Sequence, residues 1–293
     1  MQATEPTLLI SLLALAAAAQ FAAGTLLVKR GLGAVDSVTG AVIQIFVSML
    51  VFALAAPFAV EASFWLSPAV WVFAGIGLAR PSFSTILANE GTRRLGPTIA
   101  TTMESTSPIL AVLGGVLFLS EHLTLPIAVG TLGVVGGVAV LSGRGRLPRS
   151  WPLWAVLLPL GAATIRSMAH VGAKWGLQIL PSVVMSGLIA YTVSFVVAMA
   201  VSVGRGRRVR GGLLHPGAVW FVLAGVTNAG AIFTLNSALM LGQVVLVSPL
   251  VATYPLFTML GSKLFYRSDP ISGRMLLGVA LTVPSVILIT LWR

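Results

Sequence analysis

Ten apolar runs, separated by gaps too short to fold on their own, decide the environment of this chain before any other feature does. They cover approximately residues 7–28, 38–60, 69–88, 97–119, 125–141, 152–173, 183–203, 217–239, 244–265 and 271–291. Runs of about 18 to 25 apolar residues are long enough to cross a bilayer as helices. Of the 293 residues, 57% are hydrophobic and 9% charged, against roughly 25% charged in an ordinary soluble domain. So few charges cannot cover a water-soluble surface of this size, and lipid must cover it instead. The expected fold class is an all-α membrane protein with ten transmembrane helices. The residues before the first run, Met1 to Pro6, lack the positive start of a cleavable signal peptide, so that run is expected to be a retained helix.

The gaps carry the orientation signal. A net charge of +11 would point to nucleic acid in a soluble domain, but here the basic residues fall between apolar runs, where they set topology. Gaps after odd-numbered runs hold Lys29 and Arg30, Arg93 and Arg94, Arg144, Arg146 and Arg149, then Arg205, Arg207, Arg208 and Arg210, and finally Arg267, with Lys263 and Arg274 close by. Gaps after even-numbered runs hold little beyond Lys174. The positive-inside rule then places the odd gaps in the cytoplasm and both termini on the opposite side, in a multi-pass protein of the cell inner (plasma) membrane.

Within the runs, a series repeats. Pro108, an apolar run, Glu121-His122-Leu123-Thr124 and Gly130 are echoed by Pro255, an apolar run, Asp269-Pro270-Ile271-Ser272 and Gly278. Lys29-Arg30-Gly31-Leu32 is echoed by Lys174-Trp175-Gly176-Leu177, and Trp71-Val72-Phe73-Ala74-Gly75 by Trp220-Phe221-Val222-Leu223-Ala224-Gly225. The shared offset of about 147 residues, near half the chain, is the signature of a duplication. It divides the chain into a first five-helix repeat over 1–142, a basic linker over 143–151 and a second repeat over 152–293. Five is odd, so the second copy must insert upside down relative to the first. Such inverted repeats are the plan of many secondary transporters, with the site at the repeat interface near the midplane. Ala14, Ala18 and Ala22 on the first run, and Gly133 and Gly137 on the fifth, read as faces for close helix packing rather than as a dimer signal.

The series Leu95-Gly96-Pro97, Ser107-Pro108, Leu119-Ser120-Glu121-His122-Leu123-Thr124 and Gly130, in a chain of two five-helix halves, resembles the EamA-type carriers of the drug/metabolite transporter (DMT) superfamily. The second half departs from it at Asp269-Pro270, which carries an extra residue. The resemblance implies a small-molecule exporter or exchanger whose central cavity is lined by helices one, three, four, six, eight and nine.

Ionisable side chains deep in a membrane cost about 2.5–3.5 kcal/mol on insertion scales and mark a pathway or site by default. Arg80, Glu104 and Arg166 stand near the middle of the third, fourth and sixth runs, whereas runs two, five, seven and ten have no central charge. Glu104 sits four residues before Pro108, which removes a backbone hydrogen bond and clashes with the Glu104 carbonyl. A carboxyl group at a loosened turn suits a proton or a substrate cation; a fixed ion pair with Arg80 or Arg166 is the equal alternative. Arg166, His170 and Lys174 share a helix face at i, i+4 and i+8. Of these, Arg166 is read as functional, His170 as bonded to a neighbouring carbonyl, and Lys174 as snorkelling to the interface. Gln20, Asn228, Asn236 and Tyr254 are neutral polar candidates for the cavity wall or for glue between helices. Glu121 and Asp269 are expected to cap the helices that follow them.

No cofactor or metal site is expected. Without cysteine there are no thiolate ligands, the three histidines are scattered, and no phosphate-cradling Gly-x-x-x-x-Gly-Lys-Ser/Thr is present. The partners are then a small-molecule substrate and the bilayer, with oligomeric state open. The functional expectation is a secondary transporter of a small organic metabolite, such as an amino acid or an organic anion, working by alternating access with proton coupling or exchange. Its rivals are a carrier of lipid-linked sugar or lipid and a membrane-embedded enzyme acting on lipid. For topology, a reporter fused to either terminus should be active only outside the cytoplasm; cytoplasmic fluorescence from either fusion would overturn the orientation.

Overall fold

The structure, a computed structural model, describes residues 4–32, 34–95, 100, 103–142, 153–204, 215–266 and 273–291. It is all-helical, with no strand among the described residues. In chain order the α-helices are α1 (Thr4–Gly31), α2 (Ser37–Ala59), α3 (Ala69–Leu78), α4 (Ser84–Leu95), α5 (Ser107–Leu119), α6 (Leu125–Ser142), α7 (Leu157–Ile179), α8 (Val183–Gly204), α9 (Ala218–Leu241), α10 (Val244–Val251), α11 (Tyr254–Tyr266) and α12 (Gly273–Leu291).

Six apolar helical segments among the described residues are long enough to cross a membrane: Thr7–Gly31, Val38–Ala59, Trp154–Ile179, Val183–Gly204, Ala218–Leu241 and Val244–Ser262. The other apolar runs of the sequence appear as the shorter helices Ala69–Leu78, Ser107–Leu119, Leu125–Leu141 and Leu276–Leu291. Two of these are short because the chain breaks beside them. The run expected over 69–88 is interrupted at a π-turn, Ala79–Phe83, where Arg80 leaves the helical region at φ −124° and ψ 139°. The cause is Pro81, whose ring drives the preceding residue out of the α region into extended backbone. The run expected over 97–119 breaks at Ser105-Thr106, and Pro108 stands in the first turn of the new helix, where its missing N–H is no loss. A third break, Ala252-Thr253, divides α10 from α11 just before Pro255. The last two are built alike: Thr106 Oγ1 donates to Met103 O at 2.6 Å and Thr253 Oγ1 to Leu250 O at 2.7 Å.

Helix packing crosses between the two halves of the chain. α1 lies along α9 and also touches α10 and α11; α7 meets α3, α4 and α5; α2 packs on α8 and α9, and α8 on α3. α6 and α12 form a further pair. There Gly133 and Gly137 face Ser285 and Thr282, so the small face of α6 serves a contact within the chain. The alanines at 14, 18 and 22 on α1 are buried likewise.

Several of these contacts occur twice, with the halves exchanged. Gly31 leaves room for the ring of Phe221, and Gly176 for the ring of Phe73. Ser48 Oγ donates to Gly225 O at 2.8 Å, and Ser194 Oγ to Gly77 O at 2.9 Å. The second bond has a local reason: the amide that Gly77 would bond in an unbroken helix belongs to Pro81, which has none. Ser194 Oγ also lies 2.6 Å from Arg80 O, so the single proton of one buried hydroxyl is shared between two carbonyls of the break. Gly225 lies inside continuous α9 and keeps its helical partner. The two serines therefore differ in consequence. Ser194→Ala should destabilise the protein by about 1–3 kcal/mol, because it strands buried carbonyls, and Ser48→Ala by less than about 1 kcal/mol. Denaturation of the detergent-solubilised variants checks the difference; equal losses would remove the break from the explanation.

Candidate functional site

The three breaks and the charged side chains occupy one region. Irregular backbone at membrane depth is tolerated only where protein buries it or where it lines a water-filled cavity. α7 runs past all of it. Its Arg166 guanidinium donates to the Glu104 carboxylate at the end of the turn before the second break. One residue on, Ser167 Oγ donates to Ser107 O at 2.7 Å, bolting α7 to the start of α5. One turn further, His170 Nδ1 meets Ser248 Oγ at 2.8 Å, tying α7 to α10. One helix thus holds two of the three interrupted segments.

Arg80 stands at the first break. Its side chain is partly buried and meets no carboxylate among the described residues. It lies within electrostatic reach of Tyr191, Arg166 and Tyr254, and His170 is within reach of both Arg80 and Arg166. Tyr191, on the same face of α8 as Ser194 and one turn before it, accepts a hydrogen bond from Asn228 Nδ2 at 2.6 Å. Arg80, Glu104, Arg166, Asn228 and Tyr254 are therefore neighbours, and Tyr191 joins them although nothing in the sequence singled it out. Its signal was faint: a lone tyrosine in an apolar run is more often core than site.

The remaining candidates lie elsewhere or bond elsewhere. Asn236 is buried and donates to Ser186 Oγ at 3.2 Å, a tie between α9 and α8. Gln20 accepts from Thr234 Oγ1 at 3.4 Å, facing α9 from α1. His170 bonds a hydroxyl rather than the expected carbonyl, and Lys174 is near enough to Glu121 to feel its charge.

Glu121 corrects an expectation. It caps a helix, but not the one that follows it: its carboxylate accepts from the backbone N–H of Val244 at 2.8 Å and of Val245 at 2.9 Å, at the start of α10 in the other half. The reason is the turn that ends α5. Ser120 adopts the left-handed conformation at φ 52°, and the N–H groups of Ser120 and Glu121 both reach back to Gly115 O, the latter at 3.1 Å, closing the end of α5. That geometry folds Glu121 back over α5, where Gly115 makes room for it; a Cβ there would sit 2.6 Å from Glu121 Oε2. Asp269 lies outside the described residues.

Residues 8–143 match the EamA-like transporter family. Over that stretch the chain belongs to this family, and so to the DMT superfamily. The EamA-like chain is thereby placed among membrane transporters and is a multi-pass membrane protein. A crystal structure of a protein superposes on it with a TM-score of 0.79, at 18% identity and over 96% of each chain, which supports the fold alone. No curated protein matches the sequence.

In the EamA-like chain the Arg166–Glu104 contact is partly shielded, the two side chains being 30% and 18% exposed. Removing one partner leaves the other charge in a poorly solvated place. Glu104→Gln and Arg166→Gln should each lower stability by about 1–3 kcal/mol, below the range for fully buried pairs. The double variant should lose at least about 1 kcal/mol less than the two losses combined. Additive losses in denaturation experiments would show that the pair is not an energetic unit.

Proposed function

We propose that this EamA-like protein is a secondary transporter of a small organic metabolite that works by alternating access, rocking two inverted five-helix repeats about the site at the breaks. The repeats are residues 1–142 and 152–293, joined by the basic linker 143–151, in the inner membrane with both termini non-cytoplasmic. The observation that carries the reading is the exchange of contacts between the halves: Ser48 with Gly225 and Ser194 with Gly77, and Gly31 with Phe221 and Gly176 with Phe73. Pairs of this kind support a two-fold axis running through the seam, and a charged, irregular region on such an axis is where transporters of this plan bind cargo.

In this reading Arg80, Arg166, Glu104, Asn228 and Tyr254 line the cargo site, and Gln20 and Asn236 lie on its margin. Glu104 is the proton-coupling group. Protonation would remove the negative charge that holds Arg166 and so loosen α7 from the turn at Ser105-Thr106. A proton taken up on one side would thus weaken a tie that one conformation needs. Replacing Glu104 by Gln should abolish pH-driven flux in proteoliposomes, by at least about 10-fold, while insertion and cargo exchange persist. Undiminished proton-driven flux in that variant would remove Glu104 from the coupling.

A further inference from the structure

We propose that the cargo is a monoanion bearing a carboxylate, gripped between the Arg80 guanidinium and the Tyr191 hydroxyl, while the Arg166–Glu104 pair stays intact as part of the wall. The proposal rests on the transporter reading for the purpose of the site, and on the side chains for its chemistry.

Charge comes first. Arg166 is matched by Glu104, which leaves Arg80 as a guanidinium with no acid beside it among the described residues; an arginine does not neutralise itself by losing a proton. His170, the other ionisable group near it, supplies no negative charge. An uncompensated cation at membrane depth costs roughly 2.5–3.5 kcal/mol on insertion scales, and one anionic group brought by the cargo offsets that. Two would leave an excess of the opposite sign.

The second donor is Tyr191. Its oxygen accepts from Asn228 Nδ2, and Ser48, whose own proton goes to Gly225 O, lies beside the hydroxyl, so a cargo carboxylate would take the Tyr191 O–H in place of the weaker acceptor Ser48 Oγ. It is fixed relative to Arg80: Ser194, three residues on along α8, holds the Arg80 carbonyl. A forked guanidinium and a phenolic O–H converging on one region match a carboxylate, which accepts on both oxygens.

The same arrangement disfavours a zwitterion. An ammonium group would need an acid, and the one acid in the cluster already holds Arg166. Taking Glu104 for the ammonium would strand Arg166 in turn. Among the cargo classes open to the transporter, the charges thus favour organic anions over amino acids.

Matched triads test this with purified protein: acetate, glycine and acetamide; lactate, alanine and lactamide; 3-phenylpropionate, phenylalanine and 3-phenylpropionamide. In at least one triad the acid should raise the melting temperature at ~10 mM, as binding to the folded state requires, and its zwitterion and amide should not. Arg80→Gln should weaken that acid by more than ~30-fold and Tyr191→Phe by ~10-fold, the scale of a lost hydrogen bond to a charged group. Arg80→Lys should restore part of the loss. Stabilisation by a zwitterion or amide equal to that by its acid, no stabilisation by any of the acids, or full binding by Arg80→Gln would overturn the proposal. Flux in vesicles separates it from the broader reading. An acid that binds at Arg80 but is never carried across refutes transport and leaves this site standing. A neutral or cationic cargo carried independently of Arg80 refutes this site and leaves transport standing.

Discussion

The amide that would bond the Gly77 carbonyl in an unbroken helix belongs to Pro81, which has no N–H, and inside a bilayer no water replaces it. Everything distinctive about the seam follows from how such groups are satisfied. Each unsatisfied backbone group in hydrocarbon costs several kcal/mol, so a helix can break there only where a neighbour supplies donors. At the first break the donor is Ser194, whose one proton is shared between the carbonyls of Gly77 and Arg80. At the second and third, Thr106 and Thr253 bond back to the carbonyls three residues earlier and close the turn from within. Breaks satisfied in this way can sit beside charged groups without exposing bare backbone to lipid.

Position follows from that satisfaction. α7 is continuous and carries Arg166, Ser167 and His170 within a turn and a half, so one rigid rod reaches two of the three interrupted segments. Its hold on them is polar and local, whereas the packing of α6 on α12 is a tight meeting of small residues. Polar ties at the centre can be exchanged for other polar ties, including those to a ligand. Close packing of glycine against backbone cannot be exchanged without parting the helices. The contrast separates elements fit to move from elements fit to hold.

Much of this was legible in the sequence, for identifiable reasons. Charges in apolar runs are rare enough to stand out, so Arg80, Glu104 and Arg166 were found, and the structure makes an ion pair of the last two. Pro108 marked a loosened turn because its effect is local and covalent, whereas the run over 244–265, expected to be continuous, breaks before Pro255. What escaped depended on contacts between distant residues. Tyr191 carries no sequence signal of its own; Asn228 and Ser194 fix its surroundings. Glu121 had the chemistry of a cap, but the left-handed Ser120 sends its carboxylate to α10, and no spacing rule foretells a partner 123 residues away. Arg80 was read as a charge in a helix; that its own backbone leaves the helix follows from Pro81 and could have been read.

On the two-repeat reading, the scaffold is symmetric and the site is not. Counting from the paired glycines Gly77 and Gly225, Arg80 corresponds to Asn228 and Pro81 to Ala229; counting from Pro108 and Pro255, Glu104 corresponds to Val251. The second half therefore keeps α9 unbroken and supplies neutral groups where the first supplies charge and a break. A second set of charges on the same axis would double the desolvation cost and place like charges face to face. On the proposed reading, neutral groups at the positions that match Arg80 and Glu104 give a bound molecule a direction: one end meets Arg80 and Tyr191, and the other meets less polar groups. Divergence of the copies at these few positions, while the serine, glycine and phenylalanine contacts stay paired, is how a symmetric hinge can carry an unsymmetrical cargo.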